Sequence, residues 1–213
     1  MTRHARTERL QLCDTLDRLG PDAPTLCQGW ATRDLAAHLV VREHRPDLQA
    51  GAYVPFLADR LEREQRAIAA GDYPDLVARV RAGAPVWNPM HLAAVDELTN
   101  TVEYVVHHED VRRAQPDWTP RELTPDLEAA LWAALRRTAR LMFRKAPTGI
   151  VLVAPGRGRY AAKLPDTHGT VVLRGAPLEL VLFAYGRQDV ARVEASGDAD
   201  DIAALQGAHL GIS

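Results

Sequence analysis

Lysine is almost missing from this chain: Lys145 and Lys163 are the only two, and arginine supplies the rest of the 26 basic residues. These are offset by 28 acidic residues, for a formal net charge of -2, and they are dispersed along the chain beside the acids. Aromatic residues make up only 6%. Nucleic-acid recognition needs clustered positive charge with interleaved aromatics, so DNA and RNA are not expected partners. Cysteine is equally scarce. Cys13 and Cys27 are the whole set and do not form a C-x-x-C pair, which excludes a disulfide framework and a zinc knuckle. A free cysteine usually behaves as a small hydrophobe, so both are expected to be buried and inert. No run approaches the ~18 consecutive apolar residues of a membrane span, and the charged stretch Met1 to Arg9 lacks a signal-peptide core. A cytoplasmic protein without a membrane partner is expected. There is no G-x-S-x-G elbow, Walker loop or Rossmann glycine pattern, which leaves serine hydrolysis, nucleotide and dinucleotide chemistry without support.

What is present is ordinary globular material, 46% hydrophobic and 25% charged over 213 residues, enough for one full core and a smaller companion. Leu10, Cys13, Leu16 and Leu19 recur at helical spacing and Gly20-Pro21 stops them, predicting a first helix over 2–19. A Pro-rich loop leads to Thr32, an expected N-cap, with Asp34 in the first turn of a second helix over about 33–44. Two charged, surface-facing helices follow, over about 55–70 and up to Gly83. The longest helical pattern runs from Pro89 to Ala114, where Pro116 and Pro120 break it, and a further helix covers about 125–145. After Pro147 the character changes. Short β-prone runs at 150–153, 159–164 and 170–173 precede a helix opened by Pro177, a last strand at 190–193 and a terminal helix from Asp198. The expected organisation is therefore a mainly α protein: a helical domain over 1–147 and a small α+β domain over 148–213.

On the long helix, advancing ~100° per residue places Val95, Leu98, Val102, Val105 and Val106 on one apolar stripe. Glu97, Thr101, Tyr104 and His108 lie away from it and are expected to face water. Asp96, Asn100, Glu103 and His107 form a polar column at its edge. Glu103 and His107 stand ~6 Å apart along the axis and ~40° apart in azimuth, so a carboxylate oxygen and an imidazole nitrogen can meet at one point. His38, beside Leu35 and Leu39 on the second helix, points at least partly inward and offers a third donor. Two histidines and one carboxylate leave coordination positions open, which suits an activated water or thiol. The plainer alternatives are a solvated i,i+4 pair at Glu103 and His107, and a satisfied core histidine at His38. Asp96 and Asn100 either orient the ligands or mark the core boundary. His108, turned by ~100° from His107, misses the shared point. The remaining histidines receive no role.

Two stretches carry a family resemblance. Leu26-Cys27-Gln28-Gly29-Trp30 with Asp34-Leu35-Ala36-Ala37-His38-Leu39 resembles the start of mycothiol-dependent maleylpyruvate isomerase-like proteins, which belong to the DinB-like helical metalloproteins. Glu103 to Arg113 resembles the second metal motif of the same group, in a branch described only as metal-binding. The resemblance covers nearly the whole chain. It implies a DinB-like four-helix bundle whose ligands match His38, Glu103 and His107, with zinc as the metal in the isomerase relatives. Nickel, iron and manganese also suit such a donor set. Gly175 to Leu180 and Tyr185-Gly186-Arg187 resemble the family's small C-terminal domain, of sterol-carrier-like fold, and make Arg187 a candidate to orient substrate. Its alternative role is a helix C-terminal arginine that satisfies carbonyls. The implied activity is a metal-dependent isomerase or S-transferase that joins the thiol mycothiol to a small electrophile. The alternative is a non-catalytic protein that binds a metal or small ligand. Either fits a monomer or a homodimer.

Overall fold

The computed structural model describes residues 3–48, 55–166 and 168–211, with only the helical backbone at 55–57. The chain divides by its contacts into two units, Met1–Pro120 and Arg121–Ser213.

The first unit is all helix: α1 (His4–Leu19), α2 (Thr32–His44), α3 (Pro55–Ala69), α4 (Tyr73–Ala82) and α5 (Ala93–Arg113), with a short 3-10 turn at Pro89–His91. α1 packs on α4 and α5, while α2 packs on α3 and α4. Their shared core holds Leu12 and Leu16 of α1, Leu35, Leu39 and Val40 of α2, Leu76 and Val80 of α4, and Tyr104 and Val111 of α5. α4 was expected at the surface, but Leu76, Val77 and Val80 are buried, so only its other face is wet. α2 also begins differently from expectation. Its N-cap is Ala31, whose N–H donates to the Asp34 carboxylate at 2.9 Å, and Thr32 instead donates its hydroxyl to the Gly20 carbonyl at 2.5 Å. The loop before α2 is thereby tied to the end of α1.

The second unit comprises α6 (Pro125–Met142), β1 (Gly149–Ala154), β2 (Gly158–Lys163), β3 (Thr170–Arg174), α7 (Pro177–Ala184), β4 (Glu194–Ser196) and α8 (Ala199–Gln206). The sheet order is β2-β1-β3-β4, with β1 and β3 parallel and both outer pairs antiparallel. α7 is buried along its whole length, consistent with an apolar sequence that shows no polar face. The last strand lies at 194–196 rather than 190–193. Val190 and Ala191 fold back onto the Arg187 carbonyl, and the Arg192 N–H donates to Glu179 Oε2 at 2.8 Å. Those contacts hold the β-prone residues in a turn.

α6 packs against α7 and β2 and so lies with the sheet. The change of sequence character at Pro147 thus falls inside the second unit, whereas the chain contacts part at 120/121. The chain is mainly helical with one small mixed sheet. Among the described residues, no helix is long and apolar enough to cross a membrane.

Candidate metal centre

α5 buries Val105 and Val106 as its apolar pattern suggests, but its buried face is wider and is displaced from Leu98. Leu98 is 68% exposed, while Tyr104 and His108, expected in water, are 1% and 5% exposed. The reason is polar pairing with α1 and α2. His108 contacts Thr15 Oγ1 at 3.1 Å and Glu8 Oε2 at 3.4 Å, and Glu97 accepts from the first N–H groups of α1, at His4 and Ala5. Tyr104 donates to Glu43 and accepts from Arg9 Nε at 3.0 Å. Arg9 also donates to Asp96 Oδ1 at 2.7 Å. A buried polar group costs little when it is paired, and these side chains pair with one another. The arrangement fixes a glycine at the end of α4: Gly83 has φ +76°, and a Cβ there would stand 2.2 Å from Arg9 Nη1.

The three proposed ligands come together. His38 Nε2 lies 3.3 Å from Glu103 Oε1, and His107 Nε2 lies 3.3 Å from the same oxygen. All three ligand atoms are within 4.8 Å of one another. Tetrahedral ligands bonded at 2.0–2.2 Å to zinc stand about 3.3–3.6 Å apart, so the donor spacing and the donor chemistry both fit a divalent ion. The rings of His38 and His107 meet edge to face, centroids 5.2 Å apart, and Trp30 lies against the other side of His38 at 5.2 Å.

Charge is tuned around this point. Burial pushes the Glu103 carboxyl up, but hydrogen bonds from His107 and His38 and the charge of Arg42 hold it well below the usual carboxylate range. Burial pushes His38 down, only partly opposed by Glu103 and reinforced by the neighbouring His107 and Arg42. A neutral imidazole and an ionised carboxylate are the forms that bind a metal. Burial also acts to lower His107, yet its bonds to Asp110, Cys27 and Glu103 hold it well above its ordinary value.

Several functional candidates escaped the sequence reading. Asp110 Oδ2 stands 3.0 Å from His107 Nδ1 and so turns the opposite nitrogen, Nε2, toward Glu103. Its i,i+3 spacing from His107 was the available signal. Arg42 pairs with Glu103 Oε1 at 3.2 Å and donates to Asn100 Oδ1, whose amide donates to Asp96 Oδ1 at 2.7 Å. Asp96 and Asn100 thus belong to a hydrogen-bonded chain that ends on the proposed ligand. Cys27 is not fully buried as expected: it is half-buried, with Sγ 3.3 Å from Asp110 Oδ2 and 4.0 Å from His107 Nδ1. Its place in the quoted Leu26-to-Trp30 stretch was the one hint. Cys13 fits its expectation, since burial pushes its thiol up to about 12.

Arg187 belongs to the second unit, at the end of α7, and its guanidinium donates to the Tyr185 carbonyl at 2.6 Å. That contact is the carbonyl-satisfying role of a helix C-terminal arginine.

Two solved structures resemble this chain. One is the crystal structure of the mycothiol-dependent maleylpyruvate isomerase, with a TM-score of 0.61, 18% identity, and coverage of 91% of this chain and 90% of that one. The other is a histidine-to-alanine mutant of that enzyme, at a TM-score of 0.61 and 17% identity over the same shares. The chain has the fold of that isomerase along nearly its whole length. No family model and no curated protein matches the sequence.

Proposed function

We propose that this protein is a divalent-metal-dependent thiol transferase or isomerase that uses mycothiol, or a closely similar thiol, on a small electrophile. The observation that carries the reading is the convergence of His38 Nε2 and His107 Nε2 on Glu103 Oε1, in a chain with the fold of a mycothiol-dependent enzyme. We read the first unit as a DinB-like four-helix bundle and the sheet-bearing unit as sterol-carrier-like, on the strength of the same resemblance.

His38, Glu103 and His107 would hold the ion, with zinc the first choice among zinc, nickel, iron and manganese. When bound, the ion supplies a Lewis acid that favours thiolate over thiol at neutral pH. The chain's own groups prepare that position. Asp110 fixes the tautomer of His107 by accepting from Nδ1, and Arg42 adds to the hydrogen bonds from His107 and His38 that keep the Glu103 carboxylate ionised. Trp30 walls one side of His38 and limits water there. The thiol proton leaves to solvent before attack. The thiolate then forms a carbon–sulfur bond as the acceptor's carbon–carbon π bond opens onto its conjugated carbonyl. The resulting enolate either takes a proton from solvent or expels the thiolate to re-form the double bond. Arg187 stays a substrate-orienting candidate on the Tyr185-Gly186-Arg187 resemblance alone, since its guanidinium donates to the Tyr185 carbonyl.

The test is consumption of mycothiol by the zinc-loaded protein against a panel of small electrophiles, including cis-unsaturated diacids. Turnover that vanishes on chelation is expected. Metal bound without turnover across the panel would favour a metal-binding protein that sequesters rather than transforms its ligand.

A further inference from the structure

The His107 ring has two faces of chemistry, and only one belongs to the proposed centre. We infer that Cys27 Sγ, His107 Nδ1 and Asp110 Oδ2 form a second metal position, selective for thiophilic ions, on the side of the ring opposite Glu103. The three separations are 3.0 Å from His107 to Asp110, 3.3 Å from Cys27 to Asp110 and 4.0 Å from Cys27 to His107. They straddle the about 3.3–3.6 Å edge of a tetrahedral zinc or cobalt site. All three ligand atoms lie within 4.8 Å of one another.

The cysteine is held there by the backbone rather than by chance packing. The Leu26 N–H donates to the Asp110 carbonyl at 3.0 Å, stitching the loop to α5 at the ligand itself. The Trp30 N–H donates to the Cys27 carbonyl at 2.9 Å, closing a four-residue turn whose third residue, Gly29, has φ +77°. That is the position where a type II turn demands glycine. Thr25 Oγ1 accepts from the Cys27 N–H at 3.2 Å and donates to the Trp30 carbonyl at 2.8 Å. Gln28 and Gly29 are exposed, so solvent and ions reach the loop edge beside a half-buried thiol. Cys13 shows the contrast: it sits fully buried in the helical core, with the Val77 carbonyl 3.9 Å from its sulfur.

Asp110 Oδ2 now accepts from both the thiol and the imidazole. A divalent ion would replace those two protons, one leaving Sγ and one leaving Nδ1, and would join thiolate, imidazole nitrogen and carboxylate with one open position. A thiolate in the set favours zinc, cobalt, cadmium or copper over magnesium or manganese. With the first position also filled, His107 would serve both ions as an imidazolate, its last ring proton lost to solvent. The inference shares His107 with the proposed function but does not need the thiol chemistry.

Cobalt(II) titration of the full-length, reduced protein tests it, because a thiolate ligand adds a near-ultraviolet charge-transfer band that nitrogen and oxygen ligands lack. Wild type is expected to bind about two equivalents and to show the band. Cys27→Ser should lose the band and one equivalent, while His38→Ala should keep the band and lose the other. A wild type without the band, or a band that survives in Cys27→Ser, overturns the second position. Equal metal content in wild type and His38→Ala would instead count against the first. Should Cys27→Ser fail to fold, alkylation of Cys27 in wild type decides: saturating cobalt must slow it several-fold, and unchanged alkylation refutes the inference.

Discussion

His107 and Asp110, three residues apart on α5, form a 3.0 Å contact between Nδ1 and a fully buried carboxylate, and this contact sets which nitrogen of His107 faces Glu103. A ligand imidazole held this way is more basic and loses less freedom on binding. Asp110→Asn keeps the volume but removes the charge. Zinc affinity, read by competition with a chromophoric chelator, is expected to fall about 10- to 100-fold. An unchanged affinity would remove Asp110 from the account.

Tyr104 separates fold from site. Its hydroxyl joins Arg9 to Glu43 deep in the helical unit, and Tyr104→Phe leaves Glu43 short of a donor. Urea denaturation should show a loss of roughly 1–3 kcal/mol, with metal content unchanged. A metal loss matching the stability loss would show that the network and the centre are inseparable.

His44, at the C-terminal end of α2, supplies a pH dependence remote from the proposed ligands. Burial pushes its pKa below the ordinary 6.5, helped by the charge of Arg79 and only partly opposed by a hydrogen bond with Gly83. Its folded value lies below its unfolded one, so this stabilisation is fully present above pH 6.5 and is lost as pH falls through the folded value. Denaturation of the zinc-loaded protein at about pH 7.5 and about pH 5 should show a smaller loss in His44→Leu than in wild type. Equal losses would contradict it.

The two contact units bear on where the chain can be cut. Pro116, Asp117, Thr119, Pro120 and Glu122 are exposed, and half-buried Arg121 opens the second unit. Limited trypsin digestion is expected to cleave first after Arg121, giving fragments that end and begin there, because exposed linkers are the usual nicking sites. First cleavage at Arg144 or Lys145 would favour the boundary expected from composition at 147/148.

The meeting of Glu103 with His107 was readable because a helix repeats every 3.6 residues, so the two must share a face wherever the helix goes. Placing His38 opposite them needed α2 to pack in a particular register, which no local spacing fixes. His38 was offered by its place beside Leu35 and Leu39, the family resemblance matched it to a ligand, and the side chains meet at hydrogen-bonding distance. Cys27 was misjudged because its exposure is decided by a loop whose anchor, the Leu26 bond to Asp110, is 84 residues distant in the chain. The buried face of α5 was drawn too narrowly for a related reason, since Tyr104 and His108 are buried along with Val105 and Val106. Tyr104 and His108 look amphipathic in isolation, and only partners on α1 and α2 make their burial affordable. The short strand at 194–196 was displaced by hydrogen bonds to Arg187 and Glu179, contacts that β propensity does not encode. Elements delimited by their own prolines, such as α6 and α7, were placed closely because Pro125 and Pro177 occupy first-turn positions where a missing N–H costs nothing.

Metal content tests the central claim most directly. Elemental analysis of purified wild type beside His38→Ala and His107→Ala, each reconstituted with zinc and dialysed, should give near-stoichiometric metal in wild type. His38→Ala is expected to lose the ion of the first position and His107→Ala the ions of both, with helical content retained. Equal metal in all three proteins would show that His38, Glu103 and His107 do not hold the ion.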